Sequence, residues 1–364
     1  MSDWVLQADD IDALAAGCAL LGSGGGGDPH IFQMVLADLV AVRGPVRVVH
    51  PDQLAADAQV VNVGFVGAPI VLTEKLFHEE EVTLALSAMS RRLERRIDAV
   101  MAAEMAGANG LSAFIAASLL DVPVVDADGM GRAFPRSDQT TYSIFGYSAS
   151  PTVVSNEHGD VICLETRTNS RMEHLVRALS VAAGSKCFSV DYPLSGTDVR
   201  SCAVVGTVSL AKRLGSAIQN ARALHRDPLA ALQTALSESG DAVVRQLLEG
   251  KVTGCWNETR AGFGCGTVTL EALPGGEPMT VQFQNEFLVA YEGGRAVATT
   301  PDIISFMDTE SLATITSDSV RYGQRVKVLA ILAPPLLRSP EALRVVGPRA
   351  FGLDLDYLPI GGRS

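Results

Sequence analysis

The chain lacks an excess of positive charge, and that absence comes first. Its 364 residues carry 29 Lys and Arg against 41 Asp and Glu, a formal net charge of -12. Such a balance leaves no electrostatic footprint for nucleic acid or an anionic membrane surface. Long apolar runs are missing too, and nothing approaches the length of a membrane span. The opening Met1-Ser2-Asp3-Trp4 has neither a basic stretch nor an apolar one, so a cytoplasmic protein is expected. The six cysteines, at positions 18, 163, 187, 202, 255 and 265, form no C-x-x-C pair and have no histidine at zinc-site spacing. They read as reduced thiols filling core. Internal repeats, heptads and low-complexity segments are absent as well.

What is present is enough apolar sequence, 47%, for a large core, and a length that favours two domains. The most unusual stretch is Leu21-Gly22-Ser23-Gly24-Gly25-Gly26-Gly27-Asp28-Pro29-His30. Four successive glycines cost conformational entropy and bring no side chain, so a folded chain keeps them where backbone must bend or approach something closely. Ile11, Leu14, Ala15, Cys18 and Leu21 before the run, and Ile31, Met34, Val35 and Leu39 after it, recur at helical spacing. The loop therefore joins two helices. Asp28 suits an N-cap and Pro29 the first helical position, which would aim free N–H groups of the second helix at the loop. A dinucleotide fingerprint would follow a strand, and a P-loop would end in Gly-Lys-Ser or Gly-Lys-Thr, so neither fits.

Val46 to His50 and Val60 to Phe65 read as buried strands, the second opening into a turn at Val66-Gly67-Ala68-Pro69, with Glu74 and Lys75 as a solvated pair beyond it. The pattern from Leu76 to Met101 predicts one helix with an exposed arginine patch at Arg91, Arg92, Arg95 and Arg96. A second helix runs to Leu120, and Pro123 to Val125 forms a strand. Strand and helix thus alternate, the mark of an α/β domain. Glu104 and Asn109 stand among apolar and glycine residues, as groups at the rim of a cavity would. Asp126 and Asp128 fall at a strand end, where open α/β sheets bind ligands, and could hold a divalent cation or share a proton. Arg132 could clamp a substrate oxygen.

Pro151 to Glu165 alternates like β-structure, Met172 to Gly184 is helical, and the polar stretch Ser185 to Val199 predicts a crossing between domains. Helices are expected from about Leu210 to Leu224 and from Pro228 to Leu248. Short apolar segments follow at 262–270, 279–283, 287–291, 296–299 and 326–332, the rhythm of a β-rich module. Asn285 and Glu286 interrupt one of them and could complete a site at the domain boundary. Cys265, framed by glycines, is open enough to be a nucleophile. The expected architecture is an N-terminal α/β domain with a mixed or parallel sheet over 1–184 and a β-rich α+β domain over 185–364.

Four segments together carry a resemblance. They are 21–29, 124–135, Phe283-Gln284-Asn285-Glu286 and Val346-Gly347-Pro348-Arg349-Ala350-Phe351-Gly352, and they resemble the S-methyl thiohydantoin desulfurase family from near the start to about Leu358. The resemblance implies a two-domain hydrolase of a small hydantoin-like ring, cleaving a C–S bond to release methanethiol. For such an enzyme Asp126 or Asp128 would act as base or hold a metal-bound water, Glu104 or Glu286 would protonate the leaving thiolate, and the amides of Gly24, Gly25, Gly26 and Gly27, with Arg132 assisting, would stabilise the growing negative charge. Asp28, Asn109 and Asn285 would align the ring. A small heterocycle is the expected ligand and a homo-oligomer the expected assembly. The rival reading is a non-catalytic binding partner of a hydantoinase or oxoprolinase system, and a third is a structural subunit. Ser23 stands where threonine is expected and Cys265 where arginine is usual; the second exchange alters which anionic group a pocket accepts.

Overall fold

The computed structural model describes residues 3–67, 71, 75, 78–237, 243–260 and 263–362. Ala68, Pro69 and Glu74 of the expected turn and charge pair lie outside them. In chain order the first sheet is built from β1 (Trp4–Leu6), β2 (Val46–Val49), β3 (Gln59–Gly67), β4 (Ala99–Ala102), β5 (Val124–Asp128), β6 (Thr152–Ser155), β7 (Val161–Leu164), β8 (Lys186–Ser195) and β9 (Val204–Val205). Its order is β1-β2-β5-β4-β3-β8-β6-β7, with β9 on β5. The centre, β2-β5-β4-β3, is parallel, and the other pairings are antiparallel. Parallel strands need crossovers, and helices supply them.

The helices in order are α1 (Ile11–Leu21), α2 (His30–Arg43), α3 (Glu79–Leu93), α4 (Gly107–Leu120), α5 (Thr141–Ile144), α6 (Asn169–Ala182), α7 (Gly196–Cys202), α8 (Thr207–Ala223), α9 (Pro228–Ser237) and α10 (Pro340–Val346). α4 is buried almost all round, because it sits between the sheet and both α1 and α2. α1 also crosses α8 at close range. A Cβ on Gly17 would fall 1.7 Å from the Ala211 carbonyl oxygen, and one on Gly215 would fall 1.6 Å from that of Ala13. Only glycine permits that crossing. On α2 the buried face is Phe32, Leu36, Leu39 and Val40, whereas Met34, expected inside, is exposed.

The second sheet is antiparallel throughout: β10 (Val244–Arg260), β11 (Phe263–Ala272), β12 (Met279–Gln284), β13 (Glu286–Glu292), β14 (Arg295–Thr299), β15 (Ile303–Asp308), β16 (Thr314–Ile315) and β17 (Arg325–Ile331). They lie in the order β14-β13-β12-β11-β10-β17-β15-β16. Alternate residues such as Val252, Val268, Val281, Phe287, Phe306 and Val328 fill its core, as a period of two dictates. Phe287 and Phe306 stack at 4.4 Å between centroids. A mixed α/β part and a β-rich part were both expected, and both are present.

Three local expectations are corrected. The helix predicted over 76–101 stops at Leu93, because Glu94 takes a left-handed conformation (φ 52°) and Ala99–Ala102 enters the sheet instead. Residues 185–199 are no open crossing: Lys186–Ser195 is a buried strand paired with β3, so the expected division at 184/185 runs through the first sheet. Its polar residues disguised it. The helix predicted from Pro228 to Leu248 is described over Pro228–Ser237, and from Val244 the chain is a strand between β11 and β17 rather than helix.

Candidate functional site

The parallel strands β4 and β5 end side by side at Ala102 and Asp128 while β3 runs on to Gly67, and against this stretch of β3, past the end of β4, lies a cavity of about 100 Å3. Its wall takes Asn62 and Gly64 to Gly67 from β3, Ala103 and Glu104 from the end of β4, Asn109 from α4, and Met130 and Phe134 to Ser137 from the loop after β5. α6 adds Glu173 and Arg177, and β8 adds Ser189 and Asp191. The glycine-rich loop contributes Gly26 and Gly27, and the second sheet closes the space with Asn285 and Glu286. The volume is well below the ~300–1,000 Å3 of sites for drug-sized ligands. One small ring or a few waters would fill it.

Packing to both sheets explains the glycines. The Ser23 hydroxyl donates to the Ile304 carbonyl at 2.9 Å and accepts its N–H at 3.0 Å, while the Ser23 carbonyl accepts from Phe287 N–H at 2.7 Å. That pins the start of the loop to β13 and β15. At the other end the carbonyls of Gly26 and Gly27 accept from Ala108 N–H at 2.9 and 3.2 Å, capping α4. Gly26 and Gly27 have positive φ, 78° each, as such a reversal demands. The helix start held against the cavity is therefore that of α4, not the expected one of α2. Asp28 does cap α2, accepting from His30 N–H at 2.9 Å, but it is exposed and does not line the cavity. Neither do Gly24 and Gly25. Gly24 faces the Phe287 ring and Gly25 the carboxyl of Glu286.

Glu104 is buried and held from both sides. Asn109 Nδ2 donates to Oε1 at 2.9 Å and Phe134 N–H to Oε2 at 3.3 Å. Asn109 is itself tied to β3 by Phe65, whose N–H donates to Asn109 Oδ1 at 2.8 Å. Burial pushes the Glu104 carboxyl up to about 7, against the pull of those donors. Glu286, 4% exposed, has its carboxyl raised well above the ordinary range by burial first and by Glu104 second. Its Oε2 has no hydrogen-bond partner among the described residues. Asn285 turns the chain at φ 57°, accepts Gly264 N–H on Oδ1 at 2.8 Å, and so fixes where Glu286 emerges.

Asp126, Asp128 and Arg132 are near neighbours of the cavity but not part of its wall. Asp126 accepts the N–H and hydroxyl of Ser209 at 2.9 and 2.5 Å, anchoring the first turn of α8. Asp128 accepts from Met105, Met130 and Gly131 N–H at 2.6, 3.2 and 2.8 Å. Its burial raises it to about 7. It thus shapes the turn that follows Glu104 and the loop after β5, with both oxygens engaged. Arg132, fully buried, donates to the backbone carbonyls of Ala133, Asp302 and Phe287 at 3.0, 2.7 and 2.9 Å. It braces the two sheets together, its donors spent on backbone rather than aimed at a ligand. Nor do the two aspartates present lone pairs to a cation, and among the described residues no three His, Cys, Asp or Glu are gathered for one. Cys265 sits on β11 off the cavity wall with its thiol raised, the wrong direction for a nucleophile.

Sequence reasoning missed the far wall. Asn62 Nδ2 donates to Asp191 Oδ1 at 2.6 Å, and Ser189 Oγ to Asp191 Oδ2 at 3.3 Å. Burial raises Asp191 to about 7. Glu173 takes Ser137 N–H at 3.0 Å and its hydroxyl at 2.6 Å, and pairs with Arg177 at 2.6 Å. Asn62 did leave a signal, as a polar residue inside an otherwise apolar strand that costs free energy unless something binds it, whereas Ser189 and Asp191 left none, because they broke the apolar pattern of β8.

The fold and cavity define a two-domain α/β protein with a small, polar, largely acidic chamber walled by both sheets. A domain model described as S-Me-THD-like, N-terminal domain, matches residues 9–166, and its S-Me-THD-like, C-terminal domain counterpart matches 167–360. The chain belongs to the S-methyl thiohydantoin desulfurase-like family. No curated protein matches it. A crystal structure of a protein from Chromobacterium violaceum is similar over 98% of this chain and 100% of that one, at 26% identity and a TM-score of 0.83.

Proposed function

We propose that the chain is a hydrolase of a small hydantoin-like ring, cleaving the exocyclic C–S bond of an S-methyl thiohydantoin. The observation that carries this is that Glu104 and Glu286 line one small cavity, with Glu286 Oε2 unpartnered among the described residues, and that burial raises both carboxyls, Glu104 to about 7 and Glu286 well above the ordinary range. Two carboxyls whose surroundings set different proton affinities divide into base and acid. Glu104 takes a proton from water as its oxygen bonds to the ring carbon bearing sulfur. Glu286 gives its proton to the ring nitrogen as the C=N bond opens. The resulting Glu286 carboxylate then takes the hydroxyl proton as the carbonyl forms, the C–S bond breaks, and Glu104 passes its proton to the departing sulfur, leaving hydantoin and methanethiol with both carboxyls restored. Asn109 holds the base in place. Gly26 and Gly27, whose amides have no partner among the described residues, supply N–H groups for the ring oxygen. The base expected from sequence, Asp126 or Asp128, is replaced here by Glu104, because Glu104 lines the cavity and the two aspartates do not.

No helix among the described residues is long and apolar enough to cross a membrane. We place the protein in the cytoplasm, where its six unpaired cysteines would stay reduced, and propose that it works as a homo-oligomer beside a hydantoinase-type enzyme. The test is incubation with an S-methyl thiohydantoin while methanethiol and hydantoin are measured. Equal amounts of both, lost in Glu104→Gln and Glu286→Gln, are expected. Tight binding of the ring with no product in any preparation, with or without added divalent metal, would instead mark a non-catalytic binding partner.

A further inference from the structure

We infer that Asn62 is a specificity-determining residue of this cavity, accepting a hydrogen bond from a ring N–H of the ligand. The inference rests on the proposed hydantoin-like substrate and adds which ring atom is read.

Asn62 is 3% exposed and lies on β3 with its side chain in the cavity wall. The 2.6 Å bond from its Nδ2 to Asp191 sets which way the amide faces once Asp191 is ionised, above about pH 7, since a turned amide would then put oxygen against oxygen. Ser189 holds that aspartate from its other side. Oδ1 is thereby fixed and has no hydrogen-bond partner among the described residues. A buried amide oxygen left without a donor is costly, so a site keeps one where a ligand supplies the donor. Among the described residues of this wall, the other orphaned side-chain oxygen is Glu286 Oε2. The ligand therefore needs one N–H donor for Asn62 and one polar atom for Glu286. An amide-containing ring meets both demands. A ring without the N–H leaves the Asn62 oxygen unpaired.

Calorimetric binding by the intact protein tests this with three probes: hydantoin, 3-methylhydantoin, and succinimide, in which a methylene replaces one ring N–H without added bulk. Hydantoin is expected to bind, and at least one of the other two to bind ~10- to 100-fold more weakly. In Asn62→Ala that difference should shrink to a few fold. Succinimide and 3-methylhydantoin binding as well as hydantoin would overturn the role of Asn62 and leave the desulfurase reading standing. Discrimination without turnover of the S-methylated ring would support Asn62 and overturn the desulfurase reading. Failure of every ring to bind would overturn both. A discrimination that persists undiminished in folded Asn62→Ala, as the bulk of the added methyl alone would give, overturns the role of Asn62; where the alanine variant does not fold, Asn62→Ser makes the same comparison.

Discussion

Gly25→Ala is the most informative single perturbation, because it reaches Glu286 without touching its chemistry. A Cβ built on Gly25 would stand 2.1 Å from Glu286 Oε1 and 2.7 Å from Cδ, against 3.4–4 Å for ordinary contact. The carboxyl must therefore retreat by ~1 Å or more, a misplacement that can cost ~100-fold in rate. Gly25 is not among the residues with positive φ, so alanine adds no backbone strain of its own. Overpacking should cost ~1–3 kcal/mol of stability, which leaves a folded protein to assay. Methanethiol release should fall ~100-fold while far-ultraviolet circular dichroism is unchanged. Combined with Glu286→Gln, the substitution should add little further loss, since both act through one carboxyl. A folded Gly25→Ala protein with wild-type turnover would refute the role of Glu286.

Asp128→Asn should act on the fold rather than on chemistry alone, lowering the melting temperature, since an amide nitrogen cannot replace an oxygen that accepts from backbone N–H; an unchanged melt would contradict this. Arg132→Met should be severely destabilising, ~3–5 kcal/mol in chemical denaturation, because it strips buried carbonyls of both sheets of their donor. Stability should fall as pH rises. Glu104, Asp128 and Asp191 hold protons up to about 7 when folded, against 4.5, 3.8 and 3.8 ordinarily, so in that interval the folded state binds more protons than the unfolded one. Their contribution is complete below the ordinary values and lost as pH passes about 7. Melting curves from about pH 5 to about pH 8 should show a falling midpoint, and Glu104→Gln should flatten the fall; a rising midpoint would contradict the assignment.

Much of the fold could be read from the sequence because apolar spacing and glycine leave clear marks. The helix, glycine loop and helix at 11–43, the α/β alternation and the β-rich second half all follow from such patterns. β8 could not be read, because Lys186, Ser189 and Asp191 break its apolar pattern. Those residues are buried by distant partners: Lys186 pairs with Glu81 at 2.7 Å, and Asp191 with Asn62. The site divided along the same line. Glu104, Asn109, Asn285, Glu286, Gly26 and Gly27 do gather around one cavity, as polar or glycine positions in apolar surroundings suggest. Asp126, Asp128 and Arg132 looked equally suitable, yet each is used up by local backbone or by Ser209. Only the three-dimensional wall of the cavity separates a carboxyl that reaches the chamber from one that does not.

The most direct measurement is single-turnover product analysis with an S-methyl thiohydantoin, comparing wild type with Glu286→Gln. Stoichiometric methanethiol and hydantoin from the wild type, and neither from the variant at equal ring occupancy, is the predicted result. Equal product from both proteins would show that the buried acid beside the glycine loop takes no part in the reaction.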